Sequence, residues 1–283
     1  MTDKNINGIH GDAAAVNASS AEPQAAKANS LAESNPAESP VAELNCTYET
    51  ETEVSMINEN GVLKPHAYQV LFAQVAEQHL NAFHANASHT MAYGVAWALI
   101  SMTIEIEKQV AGCQKLVAQT WHSQHKGPYW RRELVFRDQA GDVVFQGSTF
   151  SVLLDMEKRS VSRKRDIPFF TTPPTPVFTI DAKPTLKSHI SYSPVEVRKV
   201  RNSHIDMLGH VNNCRYGEFA YDALSGQERE KLAEMRRMEI YFASELRRGD
   251  DFTIGKATQG DKLYIRGHNN MKENTSFDII LSK

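Results

Sequence analysis

The first 45 residues contain no phenylalanine, tryptophan or tryptophan-like bulk of any kind: Phe, Trp and Tyr are all absent, and Ala, Ser, Asn, Glu and Pro dominate. A segment of that composition cannot bury enough apolar surface to offset its ordering entropy, so residues 1–45 read as a disordered tail. The tail also lacks the basic start and the roughly 7 to 15 apolar residues of a secretory signal, and no later run approaches the roughly 18 apolar residues of a membrane span. A soluble, cytoplasmic protein without a membrane span is therefore expected. Cysteine is scarce: Cys46, Cys113 and Cys214 are odd in number and lack metal-ligand spacing, which predicts reduced thiols. Charge of one sign is lacking too. The tail carries −4 of a whole-chain −3, which leaves the body at +1. So neutral a body offers no general field for nucleic acid, and any electrostatic partner must find a local patch.

What is present is a pattern that occurs twice. From Cys46 to Met56, Cys46, Tyr48 and Thr50 alternate with Glu49, Glu51 and Glu53, a strand with one wet side. After the turn "NENG" (58–61), Tyr68, Leu71, Phe72, Val75, Ala76, His79 and Phe83 follow helical spacing. Period two then returns in residues 100–107, "KLVAQTW" (115–121), "WRRELVF" (130–136) and "VVFQGSTFSVLL" (143–154), the last two joined by the polar hairpin "RDQAGD". Residues 158–190, basic and then proline-rich, suit a linker. Beyond it the order begins again: strand "VEVRKV", a glycine turn, an apolar helix from about Val211, and strands near 236–245, 251–257, 262–268 and 275–281. "NENGVL" (58–63) set over "DMLGHV" (206–211) superposes Gly61 on Gly209. Two copies of one strand-helix-sheet unit account for this better than one irregular domain. The second helix, with Val211, Cys214, Tyr216, Phe219, Ala220, Tyr221, Ala223 and Leu224, reads as apolar nearly all round and hence buried. The predicted class is α+β, an N-terminal unit over 46–157 and a C-terminal unit over 191–283, each a curved antiparallel sheet around a long central helix.

The polar chemistry gathers at "IDMLGHVNNCRY" (205–216). On spacing alone, Asp206 and Asn212 cap a turn and a helix as readily as they do chemistry, and a glutamate such as Glu245 serves equally as a solvated surface group. Cys214 sits inside an apolar stripe and reads as inert packing. The pairs His84/His89 and His122/His125 lack a third partner at metal spacing and read as surface histidines; no metal or organic cofactor is expected.

"IDMLGHVNNCRY" resembles the D-x-N-x-H-V-N-N-x-x-Y signature of the hotdog-fold thioesterases, and "IYFASELRRGDD" (240–251) resembles their Y-x-x-E segment before Gly-Asp. With the duplication in one chain, and weaker echoes at Trp97, "QTW", Arg137–Asp138 and "LLDMEKRS", the resemblance is closest to the acyl-acyl carrier protein thioesterases, which are tandem (double) hotdogs, and it covers about Tyr48 to Lys283. It implies hydrolysis of fatty acyl groups from acyl carrier protein in fatty acid biosynthesis, with acyl-coenzyme A hydrolysis or non-catalytic acyl binding as alternatives. It assigns Asp206 as the catalytic carboxylate, His210 as its partner in orienting or deprotonating the nucleophile, and Glu245 as a third member. A helix start offers free N–H groups and partial positive charge to an oxyanion, so Gly209, Val211 and Asn212 are expected at the thioester. By the same resemblance the first unit, whose Asn58 and Val62 replace the acid and histidine, holds the acyl chain near Trp97. Two departures stand out: Leu208 occupies the signature's usual Asn, and Leu246 occupies the cysteine position of plant members. The basic clusters "EKRSVSRKR", "EMRRME" and "ELRRGD" are candidates for docking the acidic carrier, and pairing of two chains is left open.

Overall fold

The structure, a computed structural model, describes residues 46–158, 160–162, 176–187 and 189–283. The expected disordered tail and residues 159, 163–175 and 188 of the basic and proline-rich linker lie outside the described residues.

Strand β1 (Cys46–Glu51) alternates half-buried and exposed residues as its sequence predicts. It leads through a single 3-10 turn at Val54–Met56 to helix α1 (Pro65–Ala82). Pro65 sits at the first helical position, where its missing N–H costs nothing and its fixed φ is already helical. Ala67, Tyr68, Leu71, Phe72, Val75 and His79 form the buried stripe of α1. A short helix, α2 (Ala87–Ala92), capped by the Asn86 side chain, precedes β2 (Val95–Ile106), β3 (Lys115–Lys126), β4 (Tyr129–Arg137) and β5 (Val143–Asp155). A two-residue strand, β6 (Ser160–Val161), pairs with β5. The second half supplies β7 (Ser193–Lys199), helices α3 (Arg215–Asp222) and α4 (Gly226–Glu230), then β8 (Arg237–Phe242), β9 (Asp251–Gln259), β10 (Lys262–Asn269) and β11 (Asn274–Ser282).

The strands form one antiparallel sheet in the order β1-β3-β4-β5-β2-β8-β11-β10-β9-β7. Each half has the same internal order read from the outside inward, so the duplication seen in the sequence is a pseudo-twofold in the structure. The halves join edge to edge at β2 and β8, where Ser101 faces Tyr241 and Glu105 faces Arg237. That junction removes the central strand edges from solvent. The two turn segments also share their hydrogen bonds. Asn58 N–H reaches Val62 O at 2.9 Å and Asp206 N–H reaches His210 O at 2.9 Å. Gly61 and Gly209 both adopt left-handed φ, +79° and +80°, where a side chain would be strained.

The second helix departs from expectation. In place of a long helix beginning near Val211, α3 has eight residues and starts at Arg215. Asn212 causes the delay: its Oδ1 accepts from Cys214 N–H at 3.0 Å and its carbonyl accepts from Arg215 N–H at 2.9 Å, so the chain turns before it coils. Ser225 then caps α4 in a reciprocal pair with Glu228. Nor is α3 apolar all round. Tyr216, Phe219 and Ala220 are buried, but Arg215 pairs with Glu218 and Asp222 pairs with Arg198 on the outer side. The helix packs against α1 at Gly217, where a Cβ would collide with Gln69 Oε1 and the His66 backbone. One continuous core results, running from Leu71, Phe72, Phe136 and Phe145 to Tyr216, Phe219, Phe252 and Phe277.

The stretch 176–187 of the linker is pinned to the sheet. Thr179 donates from N–H and Oγ1 to the buried Glu133 carboxylate at 3.1 and 2.7 Å, and Arg131 donates to Ile180 O at 2.7 Å. Ser123, Ser148 and Arg131 satisfy the rest of Glu133, which is how a carboxylate survives full burial.

Candidate functional site

The motif at 205–211 folds as a tight hairpin. Ile205 pairs with Val211, Asp206 N–H bonds His210 O, and Gly209 N–H returns to Asp206 O at 3.1 Å. Asp206 and His210 are thus direct cross-strand neighbours, the relation that sets two side chains on one face. Asp206 Oδ1 also accepts from Leu208 N–H at 2.9 Å, closing the turn from within. Leu208 takes part through its backbone, while its side chain stands 43% exposed.

A second bridge sets His210 opposite Arg247 and brings in the loop after β8. Glu245 lies on this loop, three residues past the end of β8, and not within the strand as expected. Its Oε2 is 2.9 Å from His210 Nε2. Arg247 Nε donates to Glu245 Oε1 at 2.9 Å, and its Nη2 grips the same oxygen. Nη2 also lies 3.5 Å from His210 Nε2. Both nitrogens are donors once Nε2–H points to Glu245, so this is close packing and not another hydrogen bond. In the neutral ring the Glu245 contact keeps the proton on Nε2 and leaves Nδ1 as the basic nitrogen. The loop is itself braced: Asp250 accepts from Arg247 N–H at 3.1 Å and from Asn269 Nδ2 at 2.7 Å, and Lys272 Nζ donates to Glu245 O at 3.0 Å.

Tyr216, overlooked in the sequence as a core residue, sits beneath this group. Its hydroxyl accepts from Leu246 N–H at 3.3 Å. Burial first, and then the nearby carboxylates Glu245, Asp206 and Asp250, push its pKa up to about 12, against the lowering effect of the Leu246 hydrogen bond. The phenol therefore stays neutral and acts as a wall. The signal available in the sequence was its place as the final Tyr of the motif. Arg247 belongs to "ELRRGD", one of the candidate clusters for docking the carrier, but its charge is spent on Glu245. Arg237 of "EMRRME" is likewise paired, with Glu105 and Glu239. Much of "EKRSVSRKR" lies outside the described residues.

The expected amides are differently disposed. Val211 N–H donates to Leu246 O at 2.9 Å and Asn212 N–H to His204 O at 2.9 Å, so neither points freely at a ligand. A helix entrance at Val211 is thus corrected: the residue belongs to the hairpin, and the helix opens four residues later. Asn212 does line a cavity of about 190 Å³, together with Asn213, Cys214, Phe72, Trp97 and Trp130. Asp206, Gly209, His210, Val211 and Glu245 do not line it. Trp97 is anchored by Nε1–H to Ala85 O at 3.1 Å and packs edge-on to Trp130 at 5.7 Å. The cavity therefore runs from the motif of the second half into the interior of the first. A larger open cleft of about 510 Å³, with Lys64, His66, Glu218 and Tyr221 in its walls, touches none of the expected site residues.

Burial raises the Cys214 thiol to about 12, as befits packing and not a nucleophile. Cys46, Cys113 and Cys214 are all free. His84 and His89 are neighbouring exposed rings, but His122 is buried and not a surface histidine: its Nε2 accepts from Arg132 at 2.9 Å. In the first-half hairpin, Asn58 Oδ1 accepts from Asn60 and Val62 N–H at 2.9 and 3.1 Å, a turn that carries neither acid nor imidazole.

Among the described residues no helix is long and apolar enough to cross a membrane. Residues 44–167 match the family model "Acyl-ACP thioesterase N-terminal domain", and residues 188–281 match "Acyl-ACP thioesterase C-terminal domain". Among solved structures the chain is similar to an acyl-ACP thioesterase from Bacteroides thetaiotaomicron, at 18% identity and TM-score 0.73, over 87% of this chain and 99% of that one. It is also similar to a 12:0-ACP thioesterase from Umbellularia californica, at 12% identity and TM-score 0.69, over 83% and 96% of the two chains. At these identities the likeness is one of fold. No curated protein matches the chain by sequence.

Proposed function

The chain belongs to the acyl-ACP thioesterase family, and from that premise we propose that Asp206, His210 and Glu245 carry out the hydrolysis of a fatty acyl thioester on acyl carrier protein. Water adds its oxygen to the thioester carbonyl and gives its proton to His210 Nδ1. The carbon–sulfur bond then breaks, the thiolate recovers a proton, and free fatty acid and carrier thiol leave. Asp206 orients and polarises the attacking water, His210 takes up its proton and returns one to the departing thiolate, and Glu245 holds the ring and stabilises its charged form. Arg247 positions Glu245.

The observation that supports this reading is the 2.9 Å contact of His210 with Glu245 on a hairpin that already pairs His210 with Asp206. The cavity reaching from Asn212 and Asn213 to Trp97 supports a passage for the acyl chain into the first half. Because β2 and β8 already join two halves in one chain, a second copy is not needed to complete the sheet. A cytoplasmic place in fatty acid biosynthesis follows from a substrate carried by acyl carrier protein. The test is turnover of one acyl chain presented on acyl carrier protein and on coenzyme A. Faster release from the carrier protein supports the reading, and faster release from coenzyme A replaces it with the acyl-coenzyme A alternative.

A further inference from the structure

The cavity that enters the first half is not apolar to its end. Gln69, Phe72, Ala73, Ala76 and Leu80 line it from α1, a spacing of three and four that follows one helical face from Gln69 to Leu80, or about 16 Å. At the near end, Gln69 Nε2 donates to Asn213 O at 2.8 Å, beside the motif. At the far end, next to Leu80, His79 Nδ1 accepts from Arg132 Nη1 at 3.0 Å. Arg132 lines the cavity and is 6% exposed.

The surroundings of Arg132 are neutral. Nη1 donates to His79 Nδ1 and, at 3.2 Å, to Thr120 Oγ1; Nη2 donates to His122 Nε2 at 2.9 Å. A ring nitrogen that accepts from a guanidinium carries no proton, and burial together with the Arg132 charge holds His122 well below the ordinary histidine range. Two groups act on Arg132 by charge, Tyr48 and the Cys46 thiol hydrogen-bonded to it, neither of them a carboxylate; the Tyr48 phenol is pushed up by burial and stays uncharged. Among the described residues Arg132 has no carboxylate ion pair. Burial lowers its own pKa to about 10, which still leaves it cationic at neutral pH. The three bonds use both Nη1 hydrogens and one on Nη2, so Nε–H and the second Nη2 hydrogen are left over. A buried cation with no counter-ion among the described residues is costly, and a hydrocarbon chain end packed against it would add to that cost. A carboxylate placed there would offset it.

Resting on the thioesterase reading above, we propose that Arg132 is a specificity-determining residue: it receives a carboxylate at the far end of the acyl chain, and the preferred substrates are ω-carboxyacyl thioesters. The thioester lies at the Asn212–Asn213 end and the second carboxylate at the Arg132 end. A cavity of about 190 Å³ compares with the 150 Å³ that encloses benzene, which corresponds to a chain of roughly eight heavy atoms.

The experiment compares octanoyl- and 7-carboxyheptanoyl-acyl carrier protein as substrates, and octanoate and suberate as binding ligands by calorimetry. Wild type, Arg132→Met and Arg132→Lys are each measured in both assays. The expected result is a kcat/KM at least tenfold higher for the carboxy chain in wild type, reduced in Arg132→Lys and reversed in Arg132→Met, with suberate bound more tightly than octanoate. If wild type prefers octanoyl in hydrolysis and octanoate in binding, the proposal is overturned, whether or not Arg132→Met folds. If wild type hydrolyses neither chain, the thioesterase reading fails by itself, and the suberate-to-octanoate binding ratio still decides the role of Arg132.

Discussion

His210 Nε2 and Glu245 Oε2 stand 2.9 Å apart, although the residues belong to different loops, joined by the pairing of His210 with Arg247 and by the Val211 N–H to Leu246 O bond. Glu245 is in turn held by the Arg247 guanidinium. The predicted consequence is a graded series. General acid–base catalysis contributes roughly 10²- to 10⁴-fold, so His210→Ala should lose kcat by about that factor. Glu245→Gln, which still accepts a hydrogen bond but cannot stabilise an imidazolium, should lose less. Arg247→Met should fall between wild type and Glu245→Gln. Steady-state kinetics on one acyl-carrier substrate checks the order, and an Arg247→Met loss exceeding that of His210→Ala would contradict it.

The two hairpin glycines provide a paired test of structure against chemistry. Gly61 and Gly209 share a left-handed φ, and nothing crowds a Cβ at either position. Alanine there should cost roughly 1 to 2 kcal/mol of backbone strain in each case. Gly61→Ala should lower Tm and leave kcat unchanged, because its hairpin carries Asn58 and Val62. Gly209→Ala should lower Tm by a similar amount and reduce kcat as well, since it shifts Asp206 relative to His210. Equal effects on kcat would mean that the second hairpin has no special part in the reaction.

Folding should weaken in mild acid. His122 is held well below its ordinary value by burial, then by the Arg132 charge, and His66 and His204 are lowered mainly by burial. A depressed folded-state pKa means that the unfolded chain binds more protons below about pH 6.5, so stability is complete above that pH and falls as pH drops through it. Denaturant melts at pH 7.5 and 5.5 should show the decline, and His122→Asn should make it shallower. An unchanged slope in that variant would place the titration elsewhere.

Much of this architecture was legible in the sequence because the signals were local. Period two marked the strands, α1 carried a long apolar stripe, and the coincidence of Gly61 with Gly209 revealed the duplication. Legibility failed where contacts cross the chain. The length of α3 is set by a side-chain-to-backbone bond from Asn212 that competes with coiling, and hydrophobicity does not report it. The Arg132 cluster draws His79 from α1, Thr120 and His122 from β3 and Arg132 from β4, so it has no motif. Thr179 meets Glu133 across 46 residues, which is why a segment read as a plain linker is strapped to the sheet. In the site, Asp206, His210 and Glu245 were named from the motif, but the amides of Val211 and Asn212 were misjudged, because pairing to Leu246 and His204 claims them first.

The most direct test of the central claim is single-turnover hydrolysis of an acyl-acyl carrier protein by wild type and Asp206→Asn, with folding monitored in parallel. The Asn side chain can still accept from Leu208 N–H, so the hairpin should persist and Tm should stay close to wild type. The account predicts that the rate falls at least 100-fold while substrate is still bound. Hydrolysis by a folded Asp206→Asn protein at the wild-type rate would contradict it.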